Sequence, residues 1–153
     1  MEQLTFQQFI TEVNRTYKEE EDFYRRLARR SGLSDAAFWV LYSIETAPGP
    51  VTQTDIGGTL MLSKQTINSA LKQLEHSGHI CLTDGPGRKK YLQLTQRGQA
   101  LSDRAIRPTL EVERGAFLGM AEEERASLLA LERKYLSLLF QKSEQIFNTS
   151  QEE

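Results

Sequence analysis

The sequence is short of most residues on which extracellular, membrane or catalytic chemistry is built. Its single cysteine, Cys81, excludes an internal disulfide framework and fits a reducing compartment, so a cytoplasmic location is expected. No apolar run approaches the roughly 18 to 20 residues a membrane helix requires. The opening residues MEQLTFQQF carry neither a basic cluster nor an apolar stretch, so no secretory signal is expected. Only two histidines occur, and His76, His79 and Cys81 follow a spacing, H-x-x-H-x-C, that matches no common zinc pattern. A glycine-rich phosphate loop, a nucleophile elbow and metal-spaced carboxylates are all missing. The chain is therefore expected to be no enzyme and to need no metal or cofactor.

An excess of charge is lacking too, since 19 basic residues face 21 acidic ones for a net −2. The distribution is less even than the sum. Residues 51–97 hold six basic and three acidic groups, while 1–50 hold six and eight and 98–153 hold seven and ten. A basic middle between acidic flanks can follow phosphates while the remainder discourages non-specific contact. At 153 residues the chain suits one good core with long helical extensions.

Residues 52–77 organise the rest. They read as two short amphipathic helices around a tight corner, placed after Pro48-Gly49-Pro50 has ended the preceding element. Thr52 and Asp55 form an acidic variant of a capping box for the first helix. Ser63 can cap the second, with Leu62 and Ile67 as a hydrophobic staple. Ile67, Leu71 and Leu74, with Ala70, commit one face of that helix to a core. The other face carries Lys64, Gln65, Asn68, Ser69 and Lys72, with no acid until Glu75. Donors, acceptors and positive charge on an exposed helix suit a DNA major groove. The plainer alternative is two core helices with a polar outer side.

Before this, residues 5–30 read as a long helix with a Thr5–Gln8 capping box, a Leu4–Phe9 staple and Gly32 at its end. A second helix capped by Ser34 or Asp35 follows, hydrophobic nearly all round through Phe38, Trp39, Val40, Leu41 and Tyr42, and hence central. After it, Gly78 stops the second helix of the pair, and runs 80–83 and 90–94 flank Asp84-Gly85-Pro86-Gly87 as a two-strand hairpin. Its returning arm carries Arg88, Lys89 and Lys90, the composition of a DNA-touching wing. Thr95 caps a further helix expected to bend at Pro108. A last helix from about Ala121 has Glu122, Glu123 and Glu124 in its first turn. Its apolar residues between Leu128 and Phe140 exceed what a small domain buries, which points to a symmetric dimer.

In this order of elements the chain resembles the MarR family of bacterial transcriptional regulators. The resemblance spans nearly the whole sequence and is most specific at LSKQTINSALKQLEHSGHI and at LQLTQRGQAL, which is similar to the family's Leu-Thr-x-x-Gly junction. It implies a mainly α fold: a winged helix-turn-helix with long N- and C-terminal dimerisation helices and a two-strand wing. The expected organisation is an N-terminal dimerisation helix at 1–33, a DNA-binding domain at 34–97, dimerisation helices at 98–148 and a disordered tail at 149–153. The implied function is a homodimeric regulator, a repressor, on a pseudo-palindromic duplex. Expected DNA contacts are Thr52, Gln53, Ser63, Lys64, Gln65, Thr66, Asn68, Ser69, Lys72, Arg88, Lys89 and Lys90. The family wing carries Asp-x-Arg where this chain has Pro86-Gly87-Arg88, so Arg88 is kept and its acidic partner is not; Asp84 is the nearest replacement.

The resemblance also suggests a small aromatic or phenolic effector, for which Tyr17, Tyr24, Phe38, Trp39 and Tyr42 are candidate contacts; they serve equally as core. Cys81, between Ile80 and Leu82, reads as a small buried hydrophobe rather than an oxidation sensor. A winged-helix module that binds other proteins and no DNA is the alternative, opposed by the cations at 64, 72 and 88–90.

Overall fold

The computed structural model describes residues 3–60 and 62–148, with the backbone alone for Thr59 and Asn148. The tail expected at 149–153 lies outside the described residues. Those described form seven helices and three strands: α1 (Phe6–Arg30), α2 (Asp35–Thr46), β1 (Val51–Thr52), α3 (Gln53–Thr59), α4 (Lys64–His76), β2 (Ile80–Asp84), β3 (Lys90–Leu94), α5 (Gln96–Ala105), α6 (Arg107–Gly119) and α7 (Glu122–Asn148). None of the helices is long and apolar enough to cross a membrane. The chain divides into two compact units, residues 1–110 and 111–153.

Local chemistry sets most boundaries in the first unit. The Thr5–Gln8 capping box starts α1, and Ser34 caps α2 by accepting from the Ala37 N–H. α1 and α4 close alike. Gly32 at φ 72° and Gly78 at φ 71° supply the left-handed residue, and the amides of Leu33 and His79 reach back to the Ala28 and Leu74 carbonyls. Each is a Schellman closure, which satisfies carbonyls that a helix end otherwise leaves unpaired. Phe38, Val40 and Leu41 of α2 are fully buried, so that helix is central as its composition requires. Around it gather Ile56 of α3, Ile67, Ala70, Leu71 and Leu74 of α4, Val51, Ile80 and Leu92 of the sheet, and Leu101, Ala105 and Ile106 after it.

Three expectations need correction. The wing is part of a three-stranded antiparallel sheet, β1-β3-β2, because Val51 and Thr52 pair with Leu92 and Tyr91. The helix after Thr95, expected to run on through Pro108, is divided at Ile106 into α5 and α6. Proline has no N–H to give and its ring crowds the carbonyl four residues back, so the chain restarts and seats Pro108 in the first turn of α6, where the missing donor costs nothing. The Leu4–Phe9 staple does not bury its first partner, since Leu4 is 64% exposed.

In the second unit the Ala121 N–H donates to the Glu124 carboxylate, opening α7. The Arg125 guanidinium lies 4.1 Å from the centre of the Phe117 ring, a cation–π contact. Along α7, Leu128, Leu131, Leu138 and Phe140 are exposed in the single chain.

Candidate nucleic-acid interface

α3 and α4 make the helix-turn-helix. Thr52 caps α3 as its Oγ1 accepts from the Asp55 N–H, and Asp55 in return accepts from both the hydroxyl and the amide of Thr52. Those two hydrogen bonds, hydroxyl first, hold the Asp55 carboxyl below its ordinary pKa, with help from the positive charge of Lys89. Ser63 caps α4 by accepting from the Thr66 N–H, and its hydroxyl also meets that of Thr66. With Ile67, Ala70, Leu71 and Leu74 turned into the core, Lys64, Gln65, Thr66, Ser69 and Lys72 are exposed on the other side.

Asn68 is half-buried and not free-standing. Gln53 at the start of α3 donates its side-chain amide to Asn68 Oδ1 at 2.5 Å. The Asn68 amide nitrogen keeps its donors for an outside acceptor, while its oxygen is committed. A link between residues 15 apart, from different helices, has no local signature in the sequence.

The same stretch ties α4 to the wing. Gln53 follows Thr52, and Thr52 is paired with Tyr91, next to Lys90 on β3. β2 and β3 run in register from Ile80↔Leu94 to Asp84↔Lys90, and the loop beyond is closed by the Gly85 N–H donating to the Lys89 carbonyl at 2.9 Å. Gly87 takes φ 71°, a left-handed conformation that favours glycine, whereas a Cβ on Gly85 would lie 2.3 Å from the Tyr91 ring, a side chain that would have to turn aside. Asp84 pairs with Lys90 across the strands, so it does not take the place of the carboxylate missing beside Arg88. Arg88 and Lys89 are exposed, and Arg88 has no ion pair among the described residues.

At the base of the wing lies a contact that sequence reasoning missed. Thr95 Oγ1 donates to the Gly78 carbonyl at 2.6 Å, and the Thr95 N–H to the His79 carbonyl at 3.0 Å. Thr95 then caps α5 by accepting from the Gly98 N–H. A Cβ on Gly98 would fall 1.8 Å from the His79 carbonyl oxygen, so only glycine lets α5 close on the end of α4. This is the physical content of Leu94-Thr95-x-x-Gly98: one threonine and one glycine weld α4, the wing and α5. The His79 ring accepts or donates at Ser77 Oγ, 2.7 Å away, and its pKa is lowered by partial burial and by the charges of Arg97 and Arg104.

The aromatic candidates are partly gathered. Tyr24 and Trp39 lie 4.9 Å apart between ring centres, and Trp39 and Tyr42 5.3 Å. Phe38 is fully buried and belongs to the core. One recess of about 640 Å³ is lined by Trp39, Tyr42, Pro48, Pro50, Ile56 and Leu60 among others. A second, of about 470 Å³, is lined by Tyr17, Glu20, Glu21, Tyr24, Trp39, Leu60 and Leu62. Cys81 is half-buried rather than buried, because its side of β2 is only partly covered.

Comparison with known proteins agrees with this geometry. Residues 31–89 match the profile of the MarR family. The chain is 33% identical over 87 residues to the HTH-type transcriptional regulator PecS of Dickeya dadantii (strain 3937), a match covering 56% of this chain and 52% of PecS. It thus spans about half the length of that curated relative. The fold is similar to that of NMB1585, a MarR family regulator from Neisseria meningitidis, with a TM-score of 0.71 and 24% identity over 88% of this chain and 94% of the other. It is also similar to S. aureus MepR in a complex with DNA, with a TM-score of 0.63 and 21% identity over 91% and 99%. The family profile thus falls on the helix-turn-helix and the first arm of the wing, and the fold as a whole is similar to those of MarR family regulators.

Proposed function

We propose that the chain is a sequence-specific DNA-binding transcriptional regulator that acts as a homodimer, represses by covering a pseudo-palindromic site, and is released by a small aromatic effector. The observation that carries this is the continuous link from Asn68 through Gln53 and Thr52 to the β3 arm, which joins the acid-poor face of α4 to the cations of the wing. In that arrangement Lys64, Lys72, Arg88, Lys89 and Lys90 meet phosphate, and Gln65, Asn68 and Ser69 meet base edges. Thr52, Ser63 and Thr66 are tied up in the caps and hold the frame. The similarity to MepR, whose structure is of a DNA complex, supports the same use of the motif.

Dimerisation rests on apolar side chains exposed in the single chain: Leu128, Leu131, Leu138 and Phe140 of α7 and Phe6 of α1. A surface of that kind calls for a hydrophobic, obligate interface. A bound dimer blocks polymerase by occupancy alone, which favours repression. The effector belongs beside Trp39, which lines both recesses.

The test is selection of duplexes from random DNA by the full chain, followed by anisotropy titrations of an enriched duplex over a salt series. The expected result is an enriched palindrome bound by two chains, with log K falling steeply as log salt rises. Failure to enrich any duplex, with weak binding indifferent to salt, would favour a protein-binding module instead.

A further inference from the structure

Among the candidate base readers of α4, Asn68 is distinguished by a tie to another helix. It lies one turn after Lys64 and one turn before Lys72, and so on the face those two exposed lysines share. Its Oδ1 accepts from Gln53 Nε2 at 2.5 Å, whereas its Nδ2 makes no hydrogen bond among the described residues. Gln53 is itself held at the root. It is the first residue of α3, directly after Thr52, which the capping box with Asp55 and the pairing with Tyr91 of β3 both fix. The oxygen end of the Asn68 amide is thus engaged by α3, and both of its N–H groups remain for an acceptor outside the protein.

We infer that Gln53 is a positioning residue that sets Asn68 to read guanine rather than adenine in the major groove. Adenine presents an acceptor, N7, beside a donor, its N6 amino group, and an asparagine reads it by turning both ends of the amide to the base. Guanine presents two neighbouring acceptors, N7 and O6. An amide whose oxygen is held by Gln53 leads with its nitrogen. It matches the two acceptors of guanine, whereas at adenine it leaves the N6 amino group without a partner and weakens binding.

The inference rests on the proposed DNA binding and deepens it. The full chain and its variants are titrated by anisotropy against duplexes that carry each of the four base pairs at every position of the half-site enriched from random DNA. The position read by Asn68 is the one whose discrimination disappears in Asn68→Ala. There the wild type is expected to prefer guanine to adenine by roughly five-fold or more. Gln53→Ala frees the amide to turn both ends to the base, so the preference is expected to vanish or pass to adenine. Gln53→Glu offers acceptors only, so the Asn68 amide turns over, donates to the carboxylate and presents its oxygen. Cytosine, whose N4 amino group donates, is then expected to gain most. The added negative charge weakens every duplex alike and cancels in the base ratios. Both Gln53 variants are expected to keep the wild-type melting temperature, because the cap of α3 is made by Thr52 and Asp55. In an Asn68→Ala background, Gln53→Ala is expected to change no base ratio, since the glutamine acts only through Asn68. The inference is overturned if Gln53→Ala lowers affinity for all duplexes equally, if its effect on base choice survives in the Asn68→Ala background, if Asn68→Ala changes preference nowhere, or if the wild type prefers adenine. Failure to enrich any duplex overturns the DNA-binding reading and this inference with it, whereas a duplex bound with unchanged base ratios in Gln53→Ala overturns this inference alone.

Discussion

The two ends of one hairpin could hardly be held more differently. At its base, Thr95 bonds to both carbonyls that follow α4, and Gly98 stands so close to His79 that no side chain fits between them. At its tip, Pro86, Gly87, Arg88 and Lys89 are exposed, and the loop is closed by one backbone hydrogen bond between Gly85 and Lys89. The base is determined several times over within the protein, whereas the tip has its chemistry pointed outward. Substitutions at the base should therefore act on stability first, and those at the tip on DNA binding alone.

The largest effect is expected at the base. Gly98→Ala places a methyl where the His79 oxygen already is, and because that neighbour is backbone, α5 or the end of α4 has to move. Urea unfolding should show a loss of about 3 kcal/mol or more, above the usual range for overpacking. An unfolding midpoint equal to wild type would mean that α5 does not close on α4 as described. The tip gives the reverse result: replacing Arg88, Lys89 and Lys90 together by alanine should leave stability within about 0.5 kcal/mol. Binding near 0.1 M salt should weaken about tenfold or more, and the salt slope should flatten by up to roughly 0.9 per lost phosphate contact per wing. An unchanged slope would remove the wing from the interface.

How much of this could be read from the sequence follows the same division. Caps and closures are written locally, so Thr5–Gln8, Thr52–Asp55, Ser63 and Gly78 were legible, and with them the helix-turn-helix. Contacts between elements were not. Nothing near Gly98 says that its Cα lies against residue 79, and nothing near Asn68 says that its oxygen is taken by Gln53. β1 escaped for another reason: two residues, Val51 and Thr52, are too few to show an alternating pattern. The exposure of Cys81 depends on what covers β2, which the run Ile80-Cys81-Leu82 does not encode.

Thr95→Ala sharpens the comparison, since it cuts the cap and the bond to Gly78 without adding bulk. A loss of about 1 to 2 kcal/mol is expected by urea unfolding, with DNA affinity falling only as far as the folded population falls. A larger loss of affinity than of stability would place Thr95 in the interface itself. Pro86→Asp asks whether the tip can be preorganised. Arg88 lacks an acidic partner because Asp84 is held by Lys90, and a carboxylate two residues before Arg88 would supply one. Specific binding should tighten by up to about 1 kcal/mol, with stability unchanged. Equal or weaker binding by this variant would mean that DNA orders the tip at no measurable cost.

The smallest expected effect returns to the base. Partial burial and the charges of Arg97 and Arg104 lower the pKa of His79 in the folded chain, while in the unfolded chain it takes its ordinary value of about 6.5. As pH falls through that value the unfolded state gains a proton that the folded state resists, so stability declines, and the decline ends once pH is below the folded value. The lowered carboxyl of Asp55 acts in a separate window, its contribution being lost only as pH falls through a value under 3.8. Urea midpoints at pH 7.5 and 5.5 isolate the histidine. Wild type should lose more stability between the two than His79→Gln, which cannot titrate and keeps a polar group for Ser77. Were the variant to lose just as much, the base of the wing would not be the source of the pH dependence, and the charges of Arg97 and Arg104 would be screened by solvent before they reach the ring.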